Sequence, residues 1–260
     1  MRALLVGVLV LSSGVVLGQA ASKADAKAQP GVNWQGQVVR ATGAGAPDVK
    51  AQTPAQARLG AERAALLDAF RNLLGQVKGV AVDGTHKVGE LMDKDEVRAK
   101  VEGVVKGYRV VNKRYFSDNG VEVEVEVPLA MLTDVVDPDP TQVLAIGRPE
   151  AEKAATGLVI DARGLKATPA LLPRLLDEAG KPLYSIDSLS ADARKTSGVA
   201  SYVQSLDDAK KSMKAGEKPL VMKASKAAGA DIQLGPEDAK KLASLNTSFL
   251  ADGRVVIVLN

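Results

Sequence analysis

Val121-Glu122-Val123-Glu124-Val125-Glu126-Val127 is the stretch on which the fold turns. Valine and glutamate alternate through it without exception. Successive side chains of a strand point to opposite faces, so a period of two gives one buried apolar face and one wet acidic face. An antiparallel sheet covered on one side has this pattern. Just before it, Ser117-Asp118-Asn119-Gly120 is a turn cluster with Gly120 available for positive φ. The hairpin partner is residues 107–116, and an even loop places Lys113 on the acidic side, where it can pair across strands. Calcium needs roughly six to eight converging oxygens. Glutamates two apart project in parallel, so a solvated face is expected rather than a metal site.

Working outward, residues 53–77 carry the strongest helix signal. Thr53 is an N-cap, Pro54 suits the first helical position, and Gln56 completes a Thr-x-x-Gln capping box. Leu59, Leu66, Phe70, Leu73, Leu74 and Val77 form the stripe expected to face the core. Ala57, Ala61, Ala64 and Ala65 fall on the far side. That small-residue face suits close approach by a second element or a second subunit, although alanine is also simply the best helix former. Gly79 ends the helix. Residues 80–82 read as a short strand and residues 95–105 as a second helix. Residues 34–41 read as a strand broken by Thr42-Gly43-Ala44-Gly45-Ala46-Pro47.

Asp137-Pro138-Asp139-Pro140 and Gly147-Arg148-Pro149 mark a linker, since proline removes donors and restricts the residue before it. Beyond it, Leu158-Val159-Ile160 is a buried-type strand. Residues 171–176 and 182–186 flank the turn Asp177-Glu178-Ala179-Gly180. Residues 254–259 form a terminal buried strand. The order of elements gives an α+β class rather than a regular βαβ alternation. The expected architecture is two small domains, each a mostly antiparallel sheet with packed helices, after a signal peptide. The boundaries are 1–20 signal, 21–33 flexible leader, 34–132 first domain, 133–154 linker and 155–260 second domain.

Met1-Arg2, an apolar run to Leu17 and the small-x-small exit Gly18-Gln19-Ala20 are the parts of a secretory signal. The run is shorter than the roughly 20 residues of a membrane span. The mature chain is therefore expected outside the cytoplasm, in the periplasm or at the outer membrane of a Gram-negative cell. The 260 residues include no cysteine, which excludes disulfides, thiolate chemistry and a lipid-modified N-terminal cysteine. A net charge of +3 is too weak to argue for nucleic acid. Aromatics at 3% argue against stacking platforms for single-stranded nucleic acid or sugars.

Candidate chemistry is thin. His86, the single histidine, needs an orienting carboxylate and a pocket to be catalytic, and the sequence shows neither. Asp161 and Arg163 follow a buried strand, where carboxylate and guanidinium could serve a ligand at the strand end or simply pair with each other. Gly43-x-Gly45 is not a dinucleotide fingerprint, and no P-loop, Gly-x-Ser-x-Gly elbow or His-Glu-x-x-His occurs. Lys210, Lys211, Lys214, Lys218, Lys223 and Lys226 make the densest basic patch, able to meet an anionic envelope surface. No catalytic residue, metal or cofactor is expected.

The order of motifs in the first domain resembles a known family. Thr42-Gly43-x-Gly45, Ala61-x-x-Ala64-x-x-x-Asp68-Ala69, Gly79-Val80-x-Val82, Gly103-x-x-x-Gly107-Tyr108-x-Val110 and the valine alternation ending at Leu129 are similar to the LPP-type outer-membrane lipoproteins. Those include the flagellar basal-disk protein FlgP, and the N-terminal domain of the flagellar H-ring protein FlgT is similar in outline. The segment from Thr156 to Val258 looks like an extension carried by such envelope proteins. The resemblance implies a non-enzymatic envelope protein, with protein partners and self-assembly into a ring or disk. The lipobox cysteine of the family is missing, so the tether is not expected here. Assembly would use the alanine face, the hairpin edges or the terminal strand. The alternative is a periplasmic small-molecule or glycan-binding protein using the cleft between domains, near Asp161 and Arg163.

Overall fold

The computed structural model describes residues 30–136 and 155–260. The expected signal, most of the leader and most of the linker lie outside the described residues. The first lobe runs β1 (Gly31–Asn33), β2 (Val38–Gly45), α1 (Pro54–Lys78), α2 (Val88–Leu91), α3 (Asp95–Lys106), β3 (Arg109–Tyr115), β4 (Val121–Pro128) and α4 (Leu129–Val136). Its sheet has the order β1-β2-β4-β3 and is antiparallel throughout. The valines of β4 are buried, as their alternation requires.

Helix α1 turns a different face inward from the one its leucines suggest. Ala57, Ala61, Ala65, Ala69, Leu73 and Val77 are buried, at strict i, i+4 spacing, while Leu59 and Leu67 are half exposed. The reason lies in β2. Gly43 and Gly45 face the helix, and a β-carbon on Gly43 would stand 2.1 Å from Ala69 N and 2.3 Å from Ala65 O. One on Gly45 would stand 1.9 Å from Ala61 O. Backbone meets backbone, so only alanine fits the seam. Of the stretch expected to break the strand, Thr42, Gly43, Ala44 and Gly45 are instead its last four residues, and it ends before Ala46 and Pro47. Among the described residues, β1 pairs with β2 only over residues 38–40. Two side chains of α1 serve that side of β2 further along: Ala44 N donates to Asp68 Oδ2 (3.0 Å), and Asn72 Nδ2 donates to Thr42 O (2.9 Å). Two of the strand's backbone groups on that side are thereby satisfied.

Thr53 caps α1, its hydroxyl accepting from Gln56 N at 3.2 Å. Gln56 reaches Gln52 N instead of closing a box on Thr53. A bulge at Val111 shifts the register of β3. Lys113 consequently lies opposite Val123 and pairs with Glu62 of α1 at 2.5 Å, not with the glutamate row. Two glutamates of that row are ion-paired rather than freely solvated, while Glu124 Oε1 is buried without a hydrogen-bond partner. Glu122 meets Arg114 at 3.2 Å, and Glu126 is buried between Arg40 (2.8 Å) and Arg109. Two further expectations are corrected. Gly31–Asn33, placed in the flexible leader, is a strand, and residues 133–136, placed in the linker, belong to α4 with Thr133 and Val135 buried.

The second lobe runs β5 (Gly157–Asp161), β6 (Arg174–Leu176), β7 (Pro182–Tyr184), α5 (Ala191–Thr196), β8 (Ser201–Val203), α6 (Leu206–Lys211), β9 (Pro219–Ala228), β10 (Asp231–Leu234), α7 (Pro236–Ser244), α8 (Ser248–Ala251) and β11 (Val255–Val258). Its sheet order is β7-β6-β10-β9-β5-β11-β8. The class is α+β. This second sheet is mixed, however, with β9, β5, β11 and β8 parallel, where a mostly antiparallel sheet was expected. The terminal strand β11 is buried in every residue and hydrogen-bonded on both sides, so it offers no edge to a partner.

The lobes share a seam. Leu171 N and Leu172 N donate to Ala81 O and Val82 O at 2.9 and 2.8 Å, extending the first lobe's loop with backbone from the second. Gly84 lies against Gly229, α4 packs on α5, and Trp34 meets the ring of Tyr202 edge-on at 5.5 Å. Trp34 and Leu172 touch both hydrophobic cores.

Candidate functional site

Between the lobes, at the carboxyl ends of β8 and β11, opens a groove of about 730 Å³. The size is that of a small-molecule site. Open sheets with parallel strands bind ligands at these ends, because the loops there are free to shape a crevice. One wall is Gly31, Val32, Asn33, Trp34 and Gln35, with Arg40 behind. The other is Tyr202, Val203 and Gln204, with Asn260, and Ala167 and Pro169 come from the loop after β5. Tyr202 is fixed from within: its hydroxyl donates to Ala170 O (2.9 Å) and accepts from Ala170 N (3.1 Å). Burial raises its pKa, and it stays protonated. Arg40 gives Nε to Glu126. Burial pushes the Glu126 carboxyl up, but the guanidiniums of Arg109 and Arg40 outweigh it and hold it below its ordinary range.

Asp161 and Arg163 do not line this groove. Arg163 Nε and its terminal nitrogen donate to the two Asp161 oxygens at 2.8 and 2.7 Å, and Arg163 N adds a third bond at 3.2 Å. The guanidinium holds the Asp161 pKa low, so the pair closes a turn upon itself. The turn touches the groove only through Gly164 N, which donates to Asn260 Oδ1. The alanine candidates divide. Ala57 and Ala61 are buried under α1 and so unavailable to a partner, whereas Ala64 is exposed. Asn33, Gln35, Gln204 and Asn260 escaped sequence reasoning, because isolated amides in loops carry no pattern.

Lys214 leaves the basic patch. Its ammonium donates to Ser197 O (2.6 Å) and Gly198 O (3.3 Å), at the carboxyl end of α5, where orphan carbonyls need donors. Burial pushes its pKa down to about 8. Lys210, Lys211, Lys218, Lys223 and Lys226 remain exposed. Among the described residues, no group of three or more His, Asp or Glu side chains gathers as metal ligands do. Nor is any helix there long and apolar enough to cross a membrane.

His86 does have a carboxylate partner, which sequence could not show. Its Nδ1 lies 3.0 Å from Asp83 Oδ2, and both residues sit in the exposed turn that carries Gly84 onto the second lobe. Burial acts to raise the Asp83 pKa. Hydrogen bonds from the His86 ring and from the backbone N–H groups of Thr85 and His86 overcome it and hold Asp83 well below 3.8. Asp83 in turn raises His86 above 6.5. The histidine's contribution to stability is complete below pH 6.5 and is lost as pH rises through its folded pKa. The aspartate's is present above pH 3.8 and is lost as pH falls through its own. Both are complete between those two values. An NMR titration of the sole histidine should give a midpoint above 6.5, returned to about 6.5 by Asp83→Asn. A midpoint that Asp83→Asn leaves in place contradicts the pairing.

In class, this is an α+β protein of two packed lobes with a groove at the parallel-strand ends of the second. That second lobe is similar to the second domain of Tp0624 from Treponema pallidum, whose family model matches residues 157–260. No curated protein matches the chain.

Proposed function

We propose that this is an exported, non-enzymatic protein of the bacterial envelope that works by binding, with the interlobe groove as its ligand site. The observation that supports this reading is the groove itself. It is of ligand size, it stands at parallel-strand ends, and it holds Trp34 and four side-chain amides. The signal read from the sequence and the family resemblance support an envelope address. Assembly with protein neighbours is a second reading, favoured by the outer edge of β3. This strand ends its sheet and exposes Val111 and Tyr115, with Phe116 just beyond.

The chain has one tryptophan, so its emission reports on the groove directly. Titration with sugars, short peptides and small carboxylic acids should give a saturable change in Trp34 emission with one of these classes. No response to any class at millimolar concentration would overturn the groove as the site.

A further inference from the structure

We infer that the groove takes a neutral oligosaccharide, an inference that rests on the groove being the ligand site. Asn33, Gln35, Gln204 and Asn260 make amides the commonest polar side chains of its lining, beside Arg40 and Tyr202. Asn33 Oδ1 accepts from Gly36 N at 2.7 Å and Asn260 Oδ1 from Gly164 N at 3.1 Å. With one lone pair of each oxygen engaged, the NH₂ group is the larger part of what each amide has left to offer. Gln35 and Gln204 are exposed and hydrogen-bonded to none of the described residues through their side chains, so both ends of each amide are available. Arg40 is the single guanidinium of the lining. It is ion-paired through Nε, and its terminal nitrogens remain as donors. Among the described residues, the lining holds no carboxylate or ammonium side chain.

A matching ligand presents many oxygens, carries no formal charge and has an apolar face for the half-buried indole. A pyranose chain fits each requirement. Its hydroxyls both accept from and donate to amides, and the C–H face of the ring lies on an aromatic one. The 3% of aromatics argued against a stacking platform for sugars, but one correctly placed ring suffices for one subsite. An extended peptide fits less well. β8 and β11 bring their ends to the groove rather than their edges, and β1 offers an edge of three residues only.

The test pairs an array of immobilised neutral and acidic oligosaccharides with titration of Trp34 emission. The soluble probes are maltotetraose and chitotetraose, with tetraalanine and glucuronate as competitors for the claim. Saturable binding of a neutral tetrasaccharide is expected, weakened about fivefold by Gln35→Ala and by Gln204→Ala, each the loss of one hydrogen-bonding amide. Both glutamines are exposed, so neither variant should disturb folding. Response to tetraalanine or glucuronate alone would overturn the oligosaccharide and leave the groove standing. So would a sugar response that both variants leave unchanged. Silence of the array and of Trp34 towards every probe would overturn both.

Discussion

Gly43→Ala is expected to destabilise the protein by at least about 3 kcal/mol, the upper range for overpacking a closed interior. The added methyl meets Ala69 N at 2.1 Å and Ala65 O at 2.3 Å, both backbone atoms of α1. Neither can rotate away, so the helix must lift from β2 along much of its length. Lifting it would also pull Asp68 and Asn72 from Ala44 N and Thr42 O. Trimming the helix should not rescue the variant, because the obstruction is main chain: Gly43→Ala with Ala69→Gly should remain as unstable as the single change. Gly75→Ala is the control. It lies in the same helix with nothing within 4 Å of the new carbon, and should stabilise by about 1 kcal/mol through helix propensity. Urea unfolding followed by far-UV circular dichroism measures all three. A Gly43→Ala protein of unchanged midpoint would refute the close seam.

The same seam shows where sequence reasoning reaches and where it stops. Strict valine–glutamate alternation identified β4 because its period answers directly to one buried face. The long helix was equally plain from its cap and length. Its inward face was not, because hydrophobicity favours the leucines, while the contact distance set by Gly43 and Gly45 favours alanine. That distance is a property of two elements together, and neither segment alone encodes it. Lys113 was misplaced for a related reason: one bulged residue, Val111, inverts the side to which the rest of a strand points. In the second lobe, the strand positions of Val159 and Ile257 were legible from their apolar runs. Their parallel pairing was not, since a buried run looks the same in either direction. The candidate site fared worst. Asp161 and Arg163 are close in sequence and found each other. The groove collects Asn33 and Trp34 from one lobe and Gln204 and Asn260 from the other.

That collection depends on how the lobes meet, which Gly229→Ala should disturb next most strongly. Gly229 joins β9 to β10 with φ +61°, a conformation that costs other residues about 1–2 kcal/mol. Its added β-carbon would also stand 2.8 Å from Gly84 Cα, a backbone atom in the first lobe's turn, adding about 1–3 kcal/mol of overpacking. The combined expectation is roughly 2–5 kcal/mol. Gly84 has no side chain to shorten, so no compensating substitution exists on the facing side. The consequence should also be local in a way that Gly43→Ala is not. Gly229 O holds Thr168 N at 2.9 Å, and the adjoining Ala167 and Pro169 line the groove. Pushing the lobes apart at this point should loosen Trp34 from Tyr202 before either core melts. In the parent protein, Trp34 emission and far-UV dichroism should change at the same urea concentration, as one cooperative unit requires. In Gly229→Ala the emission should shift to the red at lower urea than the dichroism. Coincident transitions in the variant at the parent's midpoint would mean that the two glycines touch without holding the lobes together.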